Sequence, residues 1–290
     1  MVSFSQTAKS TAITLEMIKW EHSVFALPFA LCGAVLAARG VPALKTLLWI
    51  VVCMVALRSA AMAFNRWADR NLDAENPRTA MRALPAGSLS AGFVVGFTIV
   101  GVALFLLGAA MLNRLTLELA PVCVVVVLGY SYMKRVTRWS HLVLGLALGI
   151  APSAAWVAVR GSLDWRIAVL SALVLLWVSG FDVLYACQDF EHDRRVGLNS
   201  VPQAFGLQRA FWIARAMHVG VVALALWLDS LFRLGGIGFA GSAVVAALLA
   251  YEHSIISPRD MRRMNAAFFL LNGIISVVFF ASVATAVLMR

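Results

Sequence analysis

Residues 166–188 read RIAVLSALVLLWVSGFDVLYACQ, and this stretch decides the fold class of the chain. It holds only two charges, Arg166 at one end and Asp182 near the other. About 20 apolar residues are enough to span the hydrocarbon of a bilayer as an α-helix. The stretch is therefore predicted to be a transmembrane helix. An ionisable side chain inside such a helix is costly, so Asp182 is predicted to serve function.

The same apolar pattern recurs along the chain. Nine transmembrane helices are predicted, at 20–38, 44–64, 88–112, 116–133, 138–159, 166–188, 209–229, 232–252 and 264–289. The composition agrees, because 62% of the 290 residues are hydrophobic and only 13% are charged, whereas soluble domains have about 25% charged residues. No hydrophilic stretch is long enough for a second domain. Residues 1–290 are thus predicted to form a single all-α integral membrane domain.

Basic residues are unevenly distributed between the two sets of predicted loops. Sixteen of the 24, among them Lys9 and Lys19, precede the first helix or lie around the loops after helices 2, 4, 6 and 8, and seven lie on the other side. Basic residues favour the cytoplasmic side of a membrane. The N-terminus is therefore predicted to be cytoplasmic, in a protein of the inner cell membrane. The net charge of +10 reflects this topology, and no nucleic-acid partner is predicted.

The second predicted helix leads into a first acidic motif, NRWADRNLD at residues 65–73. Its members Asn65, Asp69 and Asp73 are four residues apart, so on a continuing helix they lie on one face. Arg58 lies seven residues before Asn65, on the same stripe.

A second acidic motif follows the sixth predicted helix, in FDVLYACQDFEHD at residues 181–193. At 100° per residue, Asp182, Tyr185, Asp189 and Asp193 fall within roughly 80° of one another. The second motif (Tyr185, Asp189 and Asp193) is in register with the first, 120 residues later. This favours two related halves that face a central cavity from the cytoplasmic side.

The two motifs together indicate a magnesium–diphosphate site. Carboxylates gathered at a membrane boundary repel one another and require a cation. Mg²⁺ prefers oxygen ligands, and one or two carboxylates usually share it with a polyphosphate. Basic side chains beside the motifs suit phosphate oxygens. They are Arg66, Arg70, Arg78, Arg82, Lys134, Arg135 and Arg138.

These motifs resemble the two signatures of the UbiA family of intramembrane aromatic prenyltransferases. The first signature corresponds to N65-x3-D69-x3-D73 with its NPRT and RALPAG continuation, and the second to Y185-x3-D189-x3-D193. YSYMKR at residues 130–135 resembles the tyrosine–lysine segment of the family. The resemblance covers essentially the whole chain and is strongest to the 4-hydroxybenzoate polyprenyltransferase-like members, some of which serve menaquinone synthesis by the futalosine route. Arg66 departs from the family, many members of which carry another aspartate there.

The resemblance implies a role for each residue of the motifs. Asp69, Asp73, Asp189 and Asp193 would organise Mg²⁺ on the diphosphate, with Asn65 in support. The remaining predicted roles are phosphate binding for Arg78, Arg82 and Lys134, stabilisation of an allylic cation by Asp182, contacts there from Tyr130 and Tyr185, and binding of the acceptor carboxylate by Arg58. The histidines share no metal-ligand spacing, and His141 and His218 are predicted to serve helix packing.

The implied reaction moves a polyprenyl chain from polyprenyl diphosphate to an aromatic hydroxy acid. Mg²⁺-assisted ionisation precedes electrophilic aromatic substitution, within ubiquinone or menaquinone biosynthesis. The acceptor stays open between 4-hydroxybenzoate and a dihydroxynaphthoate, as do the donor chain length and the oligomeric state, and the prenyl tail is expected to reach membrane lipid. The alternatives are a haem-type or chlorophyll-type member of the family and, from another class, a secondary transporter, which also combines many spans with intramembrane charge.

Overall fold

A computed structural model describes residues 12–18 and 23–290 of the chain. Lys9, Lys19 and the predicted start of the first helix at residue 20 lie outside this range. The described helices are α1 (12–18), α2 (Ser23–Ala38), α3 (Leu44–Ala68), α4 (Arg70–Glu75), α5 (Ala91–Leu112), α6 (Arg114–Gly129), α7 (Met133–Val136), α8 (Ser140–Arg160), α9 (Trp165–Ala186), α10 (Phe190–Val196), α11 (Val201–Phe205), α12 (Leu207–Leu231), α13 (Gly235–Ile255), α14 (Met264–Ala266) and α15 (Asn272–Leu288). These residues form no β-strand, so the predicted all-α class is confirmed.

Eight stretches of the described chain are long and apolar enough to cross a membrane. Two of them join several helical pieces: Arg114–Val136 contains α6 and α7, and Trp165–Val196 contains α9 and α10. The first predicted span is the shorter α2, which has 16 residues against the roughly 20 that a span requires. The number of nine spans and the cytoplasmic N-terminus therefore stay predictions.

The two acidic segments, which follow the predicted ends of the second and sixth helices, are largely helical. α3 continues four residues past its predicted end at residue 64, and α4 follows after Asp69 alone. The backbone N–H of Asp69 still donates to Asn65 O at 2.9 Å, and that of Asp73 to Asp69 O at 2.8 Å. In the second segment a 3₁₀ turn at Cys187–Asp189 joins α9 to α10. The prediction ended both helices where hydropathy falls, but the polar side chains there face a cavity instead of lipid.

α9 is the central helix of the bundle. Of its membrane-length segment 67% is buried, against 28% for α3. Its Trp177 packs between Phe29 of α2 and Phe181, with ring centroids 4.9 and 5.1 Å away. Gly145 of α8 lies directly against the α9 backbone, where a Cβ atom would meet Leu175 O and Ser179. Small residues allow such close packing of membrane helices, and here they bring the start of α8 beside Asp182.

Candidate active site

A polar cavity lies where α3, α4 and the segment after them meet α9 and α10. All twelve predicted site residues line it: Arg58, Asn65, Asp69, Asp73, Arg78, Arg82, Tyr130, Lys134, Asp182, Tyr185, Asp189 and Asp193. Residues more than a hundred positions apart in the chain thus line one cavity.

In the first acidic motif each carboxylate is paired with its own arginine. Asp69 accepts a hydrogen bond from Arg135 at 2.8 Å and one from the Asn65 amide at 3.0 Å. Asp73 accepts from Arg82 at 2.7 Å. Burial raises the pKa of Asp69 above its ordinary value, and the nearby Arg135 opposes that rise without cancelling it. Each carboxylate of the first motif is thus held by a cationic side chain from another part of the chain.

In the second acidic motif Asp189 is held by residues of the first. Arg78 grips it in a bidentate pair, Nη2 to Oδ2 at 2.5 Å and Nε to Oδ1 at 2.9 Å. Asn76 donates to Oδ1 at 3.2 Å, and Arg78 also donates to the Tyr185 hydroxyl at 3.2 Å. Burial acts to lower the pKa of Arg78, but its hydrogen bonds to Asp189 outweigh burial and leave that pKa above its ordinary value. The segment after α4 is thereby fastened across the cavity to α9.

Lys134 is the cation that both acidic motifs share. Its ammonium group interacts electrostatically with Asp69, Asp182, Asp189 and Asp193. Its position follows from the irregular 3₁₀ turn at Tyr130–Tyr132, which turns the chain from α6 into α7. This arrangement gives the cavity one central positive charge among carboxylates from two halves of the chain.

Two carboxylate oxygens of the cavity are suited to a metal ion. Asp73 Oδ2 and Asp193 Oδ2 are both buried, and neither has a hydrogen-bond partner within the described part of the chain. An unpartnered buried anion is expensive, so such oxygens are typical of a site that a cation completes. Among residues 12–18 and 23–290, no three acidic, histidine or cysteine side chains converge to hold an ion by themselves. The donor set thus fits an ion that another ligand shares, which is how Mg²⁺ is commonly bound.

Three residues at the site have contacts that could not be predicted from the sequence. Asn76 and Arg135 were quoted within the motifs but given no contact, and they bind Asp189 and Asp69. His141 was assigned to helix packing, yet its Nδ1 lies 2.6 Å from Asp182 Oδ2. His141 does pack between helices, and it has in addition this polar contact, which was not predicted. No sequence signal links it to Asp182, because the contact joins two helices across 41 positions.

An apolar cavity adjoins the polar one. Residues of α3, α6 and α8 line it, and Arg58, Met62, Asn65 and Tyr130 border both spaces. The Nε atom of Arg58 is buried there, and no described residue forms a hydrogen bond with it. The site therefore consists of a charged chamber that opens into a chamber of aliphatic side chains. The incompletely hydrogen-bonded guanidinium group of Arg58 lies where the two chambers meet.

Comparison with known proteins identifies the family. Residues 26–274 match the UbiA prenyltransferase family. The chain belongs to this family. It is 33% identical over 242 residues to the 4-hydroxybenzoate octaprenyltransferase of Vibrio cholerae serotype O1, covering 82% of this chain and 84% of the relative. With the corresponding protein of Vibrio campbellii it shares 31% identity over 245 residues, 84% of this chain and 85% of the relative.

Solved structures of the family have the same fold. A UbiA homologue from Aeropyrum pernix K1 superposes with a TM-score of 0.84 at 32% identity, covering 91% of this chain and 98% of that one. A UbiA homologue from Archaeoglobus fulgidus, solved with GPP and Mg²⁺, gives a TM-score of 0.71 at 17% identity over 95% and 99% of the two chains. This chain is thus a multi-pass membrane prenyltransferase. The predicted family and enzyme class are confirmed, and the alternative of a secondary transporter is set aside.

Proposed function

We propose that this UbiA-family enzyme transfers a polyprenyl chain from polyprenyl diphosphate to the ring of an aromatic hydroxy acid in quinone biosynthesis. The observation that carries the proposal is a single cavity in which four aspartates surround Lys134 and which opens into an apolar chamber. The charged cavity suits a metal diphosphate, and the apolar chamber suits an isoprenoid tail. The Vibrio relatives are 4-hydroxybenzoate octaprenyltransferases, so 4-hydroxybenzoate is the first acceptor to consider.

Asp69, Asp73, Asp189 and Asp193 are the residues that would hold Mg²⁺ with the diphosphate. Support comes from the unpartnered oxygens of Asp73 and Asp193, and the Archaeoglobus homologue of the same fold was solved with that ion. Bound there, the ion would neutralise charge on the diphosphate and make it a better leaving group.

Arg78, Arg82 and Lys134 would bind the diphosphate oxygens. In the structure Arg78 and Arg82 are bound to Asp189 and Asp73, the carboxylates proposed as metal ligands. A carboxylate that binds a metal ion has less need of its arginine, which can then donate to phosphate oxygens a short distance away. Pre-placed donors of this kind stabilise the charge that develops on departing pyrophosphate.

The allylic cation left by ionisation needs an anion and a dry environment. Asp182 lines the cavity on the membrane side of the second motif, and the rings of Tyr130 and Tyr185 line it as well. A fixed carboxylate there would stabilise positive charge on the allyl group. The surrounding aliphatic side chains would exclude water, which otherwise traps the cation as an alcohol.

Arg58 would bind the carboxylate of the acceptor. Its guanidinium lies where the two cavities meet, and its Nε has no partner among residues 12–18 and 23–290. A guanidinium matches a carboxylate in a bidentate pair. An acceptor bound there would present the ring carbon next to its hydroxyl group to the allylic cation, and the ring would then lose a proton.

The tail of the donor would lie in the apolar chamber and continue into membrane lipid, since aliphatic residues of α3, α6 and α8 form its walls. The excess of basic residues on the side of the acidic motifs supports a cytoplasmic active site in the inner membrane. Diphosphate and acid substrates are both water-soluble at their charged ends, which agrees with entry from that side.

The decisive experiment uses the purified enzyme with Mg²⁺, a polyprenyl diphosphate, and 4-hydroxybenzoate or a dihydroxynaphthoate in turn, with products identified by mass. We expect an acid whose mass has increased by one prenyl chain, together with pyrophosphate. Loss of product with EDTA and recovery with Mg²⁺ test the metal separately. Absence of a prenylated acid with both acceptors would reject the proposed acceptor class, and product formation in EDTA would reject the metal site.

A further inference from the structure

His141 is a buried side chain that ties three helices together at the edge of the active site. Its imidazole is fully buried near the start of α8. Nδ1 lies 2.6 Å from Asp182 Oδ2 on α9, and Nε2 lies 3.3 Å from the backbone nitrogen of Val201 at the start of α11. The Ser179 hydroxyl of α9 donates to the His141 carbonyl at 3.1 Å. Every polar atom of the ring is therefore engaged.

These contacts determine which ring nitrogen carries the proton. A backbone N–H can only donate, so Nε2 accepts from Val201 and the proton lies on Nδ1. Nδ1–H then donates to Asp182, and the imidazole is neutral. One tautomer thus gives the hydrogen bond a fixed direction and makes the Asp182 carboxylate its acceptor.

The same contacts orient Asp182 toward the reaction. Its Oδ2 is held by His141, and within residues 12–18 and 23–290 no donor reaches Oδ1. The carboxylate still lines the polar cavity, and its side chain is 19% exposed there. One oxygen is therefore anchored while the other is left for a ligand in the cavity.

His141 also connects Asp182 to the segment that supports the diphosphate site. In that segment, just before Val201, Asn199 donates its N–H to the Lys134 carbonyl at 2.8 Å, and the Ser200 side chain donates to Asp193. The anion proposed to stabilise the allylic cation and the groups proposed to bind its leaving group are thus fixed to one another through a neutral imidazole.

We infer that His141 is a positioning residue for prenyl transfer, which holds Asp182 in the orientation that stabilises the allylic cation. The inference rests on the proposed function. It assigns His141 an effect on the chemical step and none on donor binding, because the imidazole contacts Asp182 but does not line either cavity. A residue that served packing alone would affect stability without this selectivity.

A matched pair of substitutions tests the inference, His141→Gln and His141→Met. Both side chains fill a similar volume, but only glutamine can donate to Asp182 and accept from Val201. We expect methionine to lower kcat about 10–100-fold, as loss of an orienting hydrogen bond commonly does, and glutamine to stay within about threefold of wild type. KM for the prenyl diphosphate should change less than about twofold in both. Rates are expressed per folded enzyme eluting as a single species in detergent.

A double-mutant cycle with Asp182→Asn shows whether His141 acts through Asp182. In the Asp182→Asn background, His141→Met should cause no further loss of kcat. The control is His218→Met, since His218 is a buried membrane histidine that contacts His253 and the Trp177 carbonyl but lines neither cavity. It should retain the wild-type kcat.

The outcomes separate this inference from the proposed function. An active wild type in which the methionine and glutamine variants lose equal activity, or in which the cycle is additive, overturns the inference alone. A wild type that prenylates no aromatic acid overturns the proposed function and, with it, the inference. Retained activity in the glutamine variant, with a selective loss of kcat in the methionine variant, supports both.

Discussion

The two acidic motifs have the same spacing but different surroundings. Asp73 and Asp189 are equally buried, but Asp69 in the first motif is half-buried, after a helix that is 28% buried, while Asp193 in the second is 2% exposed, at the end of a segment that is 67% buried. Asp69 and Asp73 each have an arginine partner of their own. Asp189 instead depends on Arg78 and Asn76, which follow the first motif in the chain. The two motifs are therefore alike in sequence spacing and different in their contacts.

This difference shows how one half of the chain is made dependent on the other. The arginine that grips Asp189 lies 111 positions before it, so this ion pair exists only where the two halves of the chain are packed together. The charged residues on the membrane side of the two motifs differ as well. Arg58 precedes the first motif and Asp182 the second, a cation opposite an anion. Such opposite charges suit an anionic acceptor on one side and a cationic intermediate on the other.

The largest expected effect comes from removing one carboxylate of either motif. Asp69→Asn and Asp189→Asn should each lower kcat/KM by about 10²–10³-fold or more, because a metal ligand is lost where charge develops. Product formation at saturating Mg²⁺ measures this. Asp260→Asn is the matched control, since Asp260 is an exposed aspartate paired only with its neighbour Arg262. Near-normal turnover in either motif variant would mean that the two motifs do not act on one metal site.

A smaller effect is expected from breaking the link between the motifs. Arg78→Met should lower kcat/KM about 10–100-fold, and Arg78→Lys should not restore it, because an ammonium group cannot reproduce the bidentate pair with Asp189. Arg70→Met serves as control. Arg70 belongs to the same segment but donates to Trp67 O at 2.8 Å and lies over the Trp67 ring. Equal losses in the Arg78 and Arg70 variants would assign both to the general charge of the surface.

The smallest effect concerns Arg58, on the membrane side of the first motif. Arg58→Ala should raise KM for the aromatic acid about tenfold, the loss expected for one hydrogen bond to a charged group, and should leave KM for the prenyl diphosphate within about twofold. Steady-state kinetics with each substrate varied in turn gives both constants. Arg114→Ala removes an exposed arginine paired with Glu118 and should change neither. An equal rise in both constants would remove Arg58 from the acceptor site.

Much of the site could be predicted because its chemistry is periodic. The four-residue spacing of Asn65, Asp69 and Asp73 placed them on one face. Backbone hydrogen bonds between these residues keep the helical repeat although α3 ends at Ala68. The predicted end of the second helix at residue 64 was four residues too early, since hydropathy measures contact with lipid and the polar residues after it face a cavity inside the bundle.

By itself the sequence determined an all-α membrane protein whose two acidic motifs each lie on one helical face, because apolar length and helical period are local properties. The prenyltransferase class followed from the resemblance of those motifs to the UbiA family. The tertiary structure alone decided how those side chains are paired. Arg78 with Asp189, Arg135 with Asp69 and His141 with Asp182 are contacts between distant helices. They depend on close approaches such as that of α8 to α9 at Gly145, and packing of this kind leaves no periodic signal along the chain.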